Sequence, residues 1–190
     1  MALPALTTIA HQWMASHLKP GHFAVDATAG NGHDTVFLAK HVGDSGHVTA
    51  FDVQEAACAS TRRRCEQEKV SDRVTIVQAG HETMRTHVSR PVHAVMFNLG
   101  YLPRHDHTCI TRPDTTYAAL DAAQALMTEG GLITVVAYRG HDGGPEEAER
   151  VRTWLDARRD SLRILQSRMY SAGPDAPLLW GISVPPVSDR

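Results

Sequence analysis

The 190-residue chain lacks several features that define large classes of protein. It has no apolar run of roughly 18 residues, which a membrane-spanning helix would need. Its N-terminus has neither the basic start nor the long apolar core of a signal peptide. Its three cysteines, an odd number, do not suggest a disulfide framework. These absences predict a cytoplasmic protein with reduced thiols and no membrane contact, and the length predicts a single domain over residues 1–190.

Acidic residues exceed basic residues only slightly, since the formal net charge is −2. This balance argues against a protein that coats nucleic acid non-specifically. The densest basic run, Arg62-Arg63-Arg64, is read first as a solvated helix face. The twelve histidines show neither HExxH nor HxxxH spacing, and His105-Asp106-His107 lacks a correctly spaced third ligand. No metal site is therefore predicted.

The richest stretch of the chain is VDATAGNGHDT, from Val25 to Thr35. An apolar run leads into Asp26, the turn Gly30-Asn31-Gly32 follows, and an amphipathic segment then begins. The next apolar run ends at Asp52, 20 residues after Gly32. Strand, glycine turn, helix and a carboxylate at this spacing are typical of a nucleoside-binding unit, in which the carboxylate accepts hydrogen bonds from a ribose.

The details of this turn favour one class of nucleoside cofactor. A dinucleotide fold wants a third small residue where Thr35 stands. Asp34 lies in the first helical turn, where its negative charge stabilises the helix by about 0.3–1 kcal/mol through the helix dipole. The same charge disfavours a pyrophosphate at that helix end. S-adenosylmethionine carries an ammonium and a sulfonium and has no phosphate, so Asp26, Asp34 and Asp52 suit its charges better. The alternative is a simple tight turn without a ligand.

Strand and helix signals alternate after a first amphipathic helix, which predicts a mostly parallel α/β sheet with helices on both faces. Strands are predicted at Phe23–Thr28, His47–Asp52, Val74–Gln78, Ala94–Leu99, Leu132–Tyr138, Leu162–Tyr170 and Leu178–Val184. Helices are predicted at Pro4–Leu18, His33–His41, Gln54–Lys69, Thr115–Met127 and Pro145–Arg159. No helix fits between the last two strands, so they should form an antiparallel pair at the sheet edge. The apolar face of Pro4–Leu18 fits either the core or a homodimer contact.

Ligands of such sheets bind beyond the carboxyl ends of the strands, so the residues there are the site candidates. After the fourth strand, Asn98 offers an amide that can hold an amine by accepting its protons, and Tyr101 can stack on a flat base. An alkyl amine must lose a proton before it accepts a methyl group, and nearby bases would assist. The candidate bases are Asp106, His141 and Asp142, and the candidate phosphate contacts are Arg104 and Arg139. Turn residues and surface salt bridges are the open alternatives.

The chain resembles the small class I methyltransferases of the rRNA methylase family. The motifs that carry the resemblance are, in order, VDATAGNGHDTVFLA, AFDVQ, His81-Glu82, VMFNLGYLP, TRPDTT, AALDAAQALMTEGGLI and AYRGHDGG. The resemblance implies a Rossmann-like, seven-stranded fold that uses S-adenosylmethionine. It implies cofactor contacts at Asp26, Ala29, Gly30, Asn31, Gly32, Asp52, Gln54, His81, Glu82 and Asn98. It implies substrate contacts at Tyr101, Asp106, Arg139 and His141.

The resemblance also implies a reaction, because members of the family methylate the amine of 5-aminomethyluridine at the tRNA wobble position. Two departures bear on that expectation. Arg104 and His105 stand where the family usually has glycines, and residues 171–175 replace its usual asparagines. A methyltransferase acting on rRNA or a small molecule, and a non-catalytic module that binds S-adenosylmethionine, are the alternatives. A nicotinamide oxidoreductase is disfavoured by Asp34 and Thr35.

Overall fold

A computed structural model describes residues 3–100, 113–169, 173 and 175–185 of the chain. The strands are β1 (Phe23–Asp26), β2 (His47–Asp52), β3 (Val74–Gln78), β4 (Val92–Leu99), β5 (Met127–Ala137), β6 (Arg163–Ser167) and β7 (Leu178–Ser183). The α-helices are α1 (Leu6–His17), α2 (His33–Val42), α3 (Glu55–Gln67), α4 (Met84–His87), α5 (Pro113–Leu126) and α6 (Gly144–Asp156). Short 3₁₀ helices cover Ser71–Arg73 and His81–Thr83.

The described strands form a seven-stranded sheet in the order β3-β2-β1-β4-β5-β7-β6. The first five strands pair in parallel, whereas β7 is antiparallel to both β5 and β6. The predicted mostly parallel sheet with an antiparallel C-terminal pair is confirmed. The last strand in sequence, β7, lies between β5 and β6, so β6 forms the edge.

Alternate residues of the central strands feed two hydrophobic cores, one on each face of the sheet. Ala94 and Met96 of β4 pack with α1 and α2, whereas Val95 and Phe97 pack with α5 and α6. Successive side chains of a strand point to opposite faces, so a strand covered by helices on both sides must be apolar throughout.

Helix α1 belongs to the core. Its inward residues Leu6, Ala10 and Met14, followed by Leu18, are buried at a spacing of four, which matches one face of a helix. The helix packs against β5 and β7. The sequence left open whether the apolar face of this helix packs in the core or forms a dimer contact, and the structure places it in the core. Among the residues described, no helix is long and apolar enough to cross a membrane.

Several element boundaries differ from the predictions, and the differences have tertiary causes. Strand β5 begins at Met127, five residues before the predicted start, because Gly130 N–H donates to Val184 O at 2.8 Å and Val92 pairs with Met127 across an irregular register. Strand β1 ends at Asp26 because the Asp26 carboxylate accepts the Thr28 N–H at 3.1 Å. The segment from His81 to His87, a 3₁₀ helix followed by α4, was not predicted as helical.

The contact between α1 and β7 supplies a test of the packing. A Cβ at Gly181 would lie 2.8 Å from Cζ3 of Trp13, closer than side-chain carbons approach. Gly181→Ala should therefore push the indole away and destabilise the fold by about 1–3 kcal/mol. The melting temperature should fall by roughly 2–4 °C for each kcal/mol. Gly173→Ala is the matched control, because no atom of the described residues lies within 4 Å of its Cβ position. Equal melting temperatures for the two variants would contradict this packing.

Candidate active site

A cleft of about 1040 Å³ opens at the carboxyl ends of β1 to β5. The chain runs from β1 outward to β2 and β3 on one side and to β4 and β5 on the other. The loops that follow β1 and β4 therefore run to opposite sides and leave a gap between them, which is where open α/β sheets bind ligands. The predicted site residues that line the cleft are Ala29, Gly30, Asn31, Asp52, Gln54, His81, Glu82, Asn98, Arg139 and His141.

Helix α3 holds the glycine turn that forms the floor of the cleft. Gly32 has a φ of +78°, and a Cβ there would lie 2.8 Å from Cα of Thr61. The Thr61 hydroxyl donates to Gly30 O at 3.1 Å, and Nε of Arg64 donates to Asn31 O at 2.6 Å. Only glycine fits position 32, for two reasons. Its left-handed backbone conformation is strained for any other residue, and a side chain there would clash with the backbone of α3. The basic run on α3 thus contributes Arg64 to the turn.

Asp52 at the end of β2 ties the glycine turn to the next loop. Its Oδ2 accepts the Gly30 N–H and its Oδ1 accepts the Gln54 N–H, both at 2.9 Å. Each carboxylate oxygen can accept a second hydrogen bond. Asp52 lines the cleft, so this remaining capacity is available to the hydroxyl groups of a ligand.

Asp26 lies beneath the turn and is fully buried. Its Oδ2 accepts the Thr35 hydroxyl at 2.5 Å, and its Oδ1 accepts the Thr28 N–H. Burial, reinforced by the nearby charge of Asp34, raises the pKa of Asp26 to about 7, although both hydrogen bonds oppose the shift. The carboxyl therefore anchors the β1–α2 turn from below. Direct contact of Asp26 with a cofactor stays a prediction.

His81 presents a hydrogen-bond acceptor to the cleft. Its Nδ1 lies 3.1 Å from Ala27 O, and a carbonyl oxygen can only accept, so Nδ1 carries the proton. Burial lowers the pKa of His81 and keeps the ring neutral. Its Nε2 is therefore an acceptor, and it is buried without a hydrogen-bond partner among the described residues.

Asn98 at the end of β4 presents a second acceptor. Its backbone N–H donates to Thr28 Oγ1 at 2.7 Å, and its Nδ2 donates to Asp34 Oδ2. Its Oδ1 is buried and has no partner within the described part of the chain. Asp34 Oδ1 in turn lies 2.6 Å from Nε2 of His11 on α1. A row of three side chains thus runs from α1 through α2 to β4.

The loop after β5 closes the other side of the cleft. Tyr138 is 38% exposed, and burial, with a contribution from Asp34, raises the pKa of its hydroxyl. Nδ1 of His141 lies 3.0 Å from Asp142 O, and Gly143 has a φ of +81° at the start of α6. Arg139 and His141 line the cleft, whereas Asp142 is not part of its described lining.

Some predicted residues fall elsewhere, and some lining residues were missed. Tyr101, Arg104, Asp106 and the neighbouring histidines 105 and 107 lie outside the described residues. Sequence reasoning missed Thr7 and His11, which precede the first motif, and Pro177, which follows the last one. The start of an amphipathic helix carries no signal that one of its polar residues faces a ligand cleft. Within the described ranges, no three His, Cys, Asp or Glu side chains are grouped to hold a metal.

The order of strands and the cleft above β1 and β4 define a class I, S-adenosylmethionine-dependent methyltransferase fold. The family model described as "Putative rRNA methylase" matches residues 48–183. The chain therefore belongs to this family. The expected family and fold are both confirmed.

Three relatives illustrate the similarity. The chain is 39% identical over 158 residues to a "tRNA (mnm(5)s(2)U34)-methyltransferase, chloroplastic" of Arabidopsis thaliana, covering 78% of this chain and 58% of that protein. A crystal structure of a "putative rRNA-methylase" from Clostridium thermocellum matches with a TM-score of 0.93 and 39% identity, over 97% of this chain and 100% of the other. A structure described as "a putative methyltransferase" from Streptococcus mutans in complex with SAH matches with a TM-score of 0.87 and 30% identity, over 96% of this chain and 99% of the other.

The buried Asp26 carboxyl leads to a prediction about pH. Its raised pKa means that the folded protein keeps a proton which the unfolded chain releases above about pH 4. The stability that this group contributes is therefore complete at low pH and is lost as the pH rises to about 7. Asn at position 26 keeps an acceptor for the Thr28 N–H and places an N–H opposite the Thr35 hydroxyl, whose oxygen can accept it, without the ionisation. The melting temperature of Asp26→Asn, relative to the unchanged protein, should rise between about pH 5 and about pH 7 and then stay constant.

The control for this measurement is Asp44→Asn, since the Asp44 side chain is 91% exposed. Its melting-temperature difference should not change in the same way over this pH range. A pH-independent difference for Asp26→Asn would show that the carboxyl is already ionised in the fold.

Proposed function

We propose that this protein transfers a methyl group from S-adenosylmethionine to the amine of 5-aminomethyluridine at the wobble position of tRNA, giving 5-methylaminomethyluridine. The observation that carries the proposal is the amide oxygen of Asn98, a buried acceptor without a described protein donor beside the carboxylate of Asp34. An amine supplies the N–H groups that such an acceptor needs, and a carboxylate nearby favours a substrate that arrives positively charged. The tRNA methyltransferase named above supports the same substrate class.

The cleft also fits the methyl donor. Gly30 has positive φ and lines the cleft, so its backbone can lie close to a ligand, whereas the predicted Gly32 is not part of the described lining. Asp52 has acceptor capacity for the ribose hydroxyls, and Nε2 of His81 is a neutral acceptor suited to the amino group of adenine. Ala29, Asn31, Gln54 and Glu82 line the same volume and complete the proposed cofactor contacts.

The chemistry requires a free amine next to an activated methyl group. S-adenosylmethionine supplies a methyl on a positively charged sulfur, and this sulfur leaves with the bonding electrons. Asn98 Oδ1 would accept an N–H from the amine and so direct the nitrogen lone pair away from the amide. Positioning of this kind can contribute about 7–11 kcal/mol to lowering a barrier. The ammonium proton has to leave before the new bond forms, and Asp106, His141 and Asp142 are the proposed acceptors.

The substrate side of the proposal rests on the loops after β4 and β5. Tyr138 and Arg139 border the cleft, with a flat ring for a base and a guanidinium for a phosphate. Tyr101 and Arg104 are proposed for the same tasks. A net charge of −2 leaves little general attraction for RNA, so the proposal also includes a homodimer as the RNA-binding unit.

Two other acceptors remain candidates, each on a specific observation. The description of the matching family favours rRNA, and the absence of net positive charge favours a small amine. Both would use the same cleft and the same cofactor. The assay below discriminates among them because it identifies the methylated product.

Methyl transfer to tRNA tests the proposal directly. Labelled S-adenosylmethionine is incubated with tRNA carrying 5-aminomethyluridine, and nucleosides are analysed by mass. One methyl per wobble nucleotide is expected, as 5-methylaminomethyluridine. The same tRNA with an unmodified wobble uridine should accept none. Asn98→Ala should lose turnover by roughly 100-fold through loss of amine positioning, while it retains the cofactor.

Two outcomes would contradict this function. Transfer to rRNA or to small amines but not to the modified tRNA would contradict the proposed substrate, while the assignment of the methyltransferase fold would stand. Unimpaired turnover in Asn98→Ala would remove the assigned role of the amide.

The ribose assignment of Asp52 is tested by calorimetry. Asp52→Ala removes a charged acceptor, and hydrogen bonds to charged groups are worth about 1.5–3 kcal/mol. The Kd for S-adenosylmethionine should therefore rise by roughly 10- to 150-fold. Glu55→Gln is the control, since Glu55 is an exposed carboxylate just beyond the cleft lining and should leave the Kd unchanged. Similar Kd values for the two variants would refute the assignment.

A further inference from the structure

Three polar side chains form a continuous row at one wall of the cleft. His11 comes from α1, Asp34 from the first turn of α2, and Asn98 from the end of β4. Nε2 of His11 lies 2.6 Å from Oδ1 of Asp34, and Oδ2 of Asp34 accepts from Nδ2 of Asn98. All three residues line the cleft, so the row joins a partly exposed histidine on α1 to the amide at the end of β4.

The row determines which way the Asn98 amide points. An ionised carboxylate only accepts hydrogen bonds, so the amide must turn its Nδ2 toward Asp34. Its Oδ1 then faces away from Asp34, in the buried position where no described residue satisfies it. The backbone of Asn98 is held independently, since its N–H donates to Thr28 Oγ1. In the flipped orientation the amide would present N–H groups where a substrate amine also presents them.

His11 in turn secures Asp34. Its ring stacks on Phe37 with centroids 4.0 Å apart and planes within 5°, which restrains the ring while Nε2 meets the carboxylate. The His11 side chain is 30% exposed and that of Asp34 only 13%, so the carboxylate is the more sheltered partner. Asp34 also contributes, as a smaller cause beside burial, to the raised pKa of the buried Asp26 and of the Tyr138 hydroxyl.

We propose that His11 and Asp34 are positioning residues that hold the Asn98 amide with its oxygen toward the cleft, where it accepts a hydrogen bond from the substrate amine. This inference rests on the proposed function, because it specifies how the same site holds its amine. It assigns a role to His11, which lies outside the span matched by the family model. Neither residue needs to touch the substrate, since each acts through Asn98.

The chain offers a matched pair of substitutions at position 11. His11→Gln keeps an N–H donor that can reach Asp34 and removes the ring. His11→Phe keeps a ring that can stack on Phe37 and removes the donor. If the hydrogen bond to Asp34 matters, the glutamine variant should keep most of the activity. The phenylalanine variant should then lose about 10-fold in kcat, the equivalent of one ordinary hydrogen bond.

Asp34→Asn tests the central member of the row. An amide at position 34 can accept from or donate to Asn98, so the orientation of Asn98 is no longer enforced. We expect kcat with 5-aminomethyluridine tRNA to fall by roughly 100-fold, with the Kd for S-adenosylmethionine close to that of the unchanged protein. Asp44→Asn, at an exposed carboxylate, is the control and should keep its activity. Melting temperatures of all variants are measured beside the rates.

A measurement without substrate separates this inference from the proposed function. In ¹⁵N-labelled protein, the Nδ2 protons of Asn98 should exchange with water slowly, because Asp34 accepts from them in a buried position. Exchange should be at least about tenfold faster in Asp34→Asn and in His11→Phe than in His11→Gln. If the unchanged protein fails to methylate the tRNA, the proposed function is wrong, and the exchange rates still decide whether the amide is held.

Three results would overturn the inference. Unchanged kcat in Asp34→Asn would mean that the Asn98 orientation does not depend on the carboxylate. A raised Kd for S-adenosylmethionine with normal kcat at saturation would make Asp34 a cofactor contact instead. Equal amide exchange in His11→Phe and His11→Gln would remove His11 from the row.

Discussion

The turn between β1 and α2 depends on one buried carboxyl group. Asp26 accepts both the Thr28 N–H and the Thr35 hydroxyl, so it joins the end of the strand to the start of the helix from below. This anchor places the glycine turn over the sheet and places Asp34, one residue before Thr35, at the cleft wall. Displacement of Asp26 would therefore shift both the glycine turn and Asp34, the carboxylate that accepts from Asn98.

The cleft exists because the strand order reverses at β1: β2 and β3 follow on one side of it, and β4 and β5 on the other. In the proposed function, the loops after β1, β2 and β3 hold the cofactor, whereas the loops after β4 and β5 hold the substrate. The boundary between them falls at Asn98, whose backbone N–H is bonded to Thr28 of the first loop. In the proposed function the methyl donor and the amine meet at this boundary, because Asn98 lies between the two sets of loops.

The three carboxylates of this site are held by specific hydrogen-bond partners rather than by the net charge around them. Asp26, Asp34 and Asp52 all lie within one short region, yet each has its own partners: hydroxyl and amide groups for Asp26, His11 and Asn98 for Asp34, and two backbone N–H groups for Asp52. Buried carboxylates without such partners would be strongly unfavourable. Of the three, only Asp26 is fully buried, and burial raises its pKa.

Local sequence patterns predict much of this arrangement. Alternating apolar strands and amphipathic helices predicted the parallel sheet, because burial on both faces demands apolar strands. Gly32 was recognisable because a tight turn with positive φ restricts the residues allowed there. Asp52 was recognisable because it ends the next apolar run, 20 residues after Gly32. Local pattern could not place the start of β5, which depends on a hydrogen bond to Val184, or the 3₁₀ and helical turns after β3.

The sequence by itself determined the order of elements, the glycine turn and the residues at the strand ends, since these follow from short-range periodicity and conformational limits. Only the tertiary structure decided that Asp26 lies beneath the site and that His11, Asp34 and Asn98 form one row. The physical reason is distance along the chain: these contacts join residues 23 and 64 positions apart. No local pattern encodes such pairs, which arise when helices pack on a finished sheet.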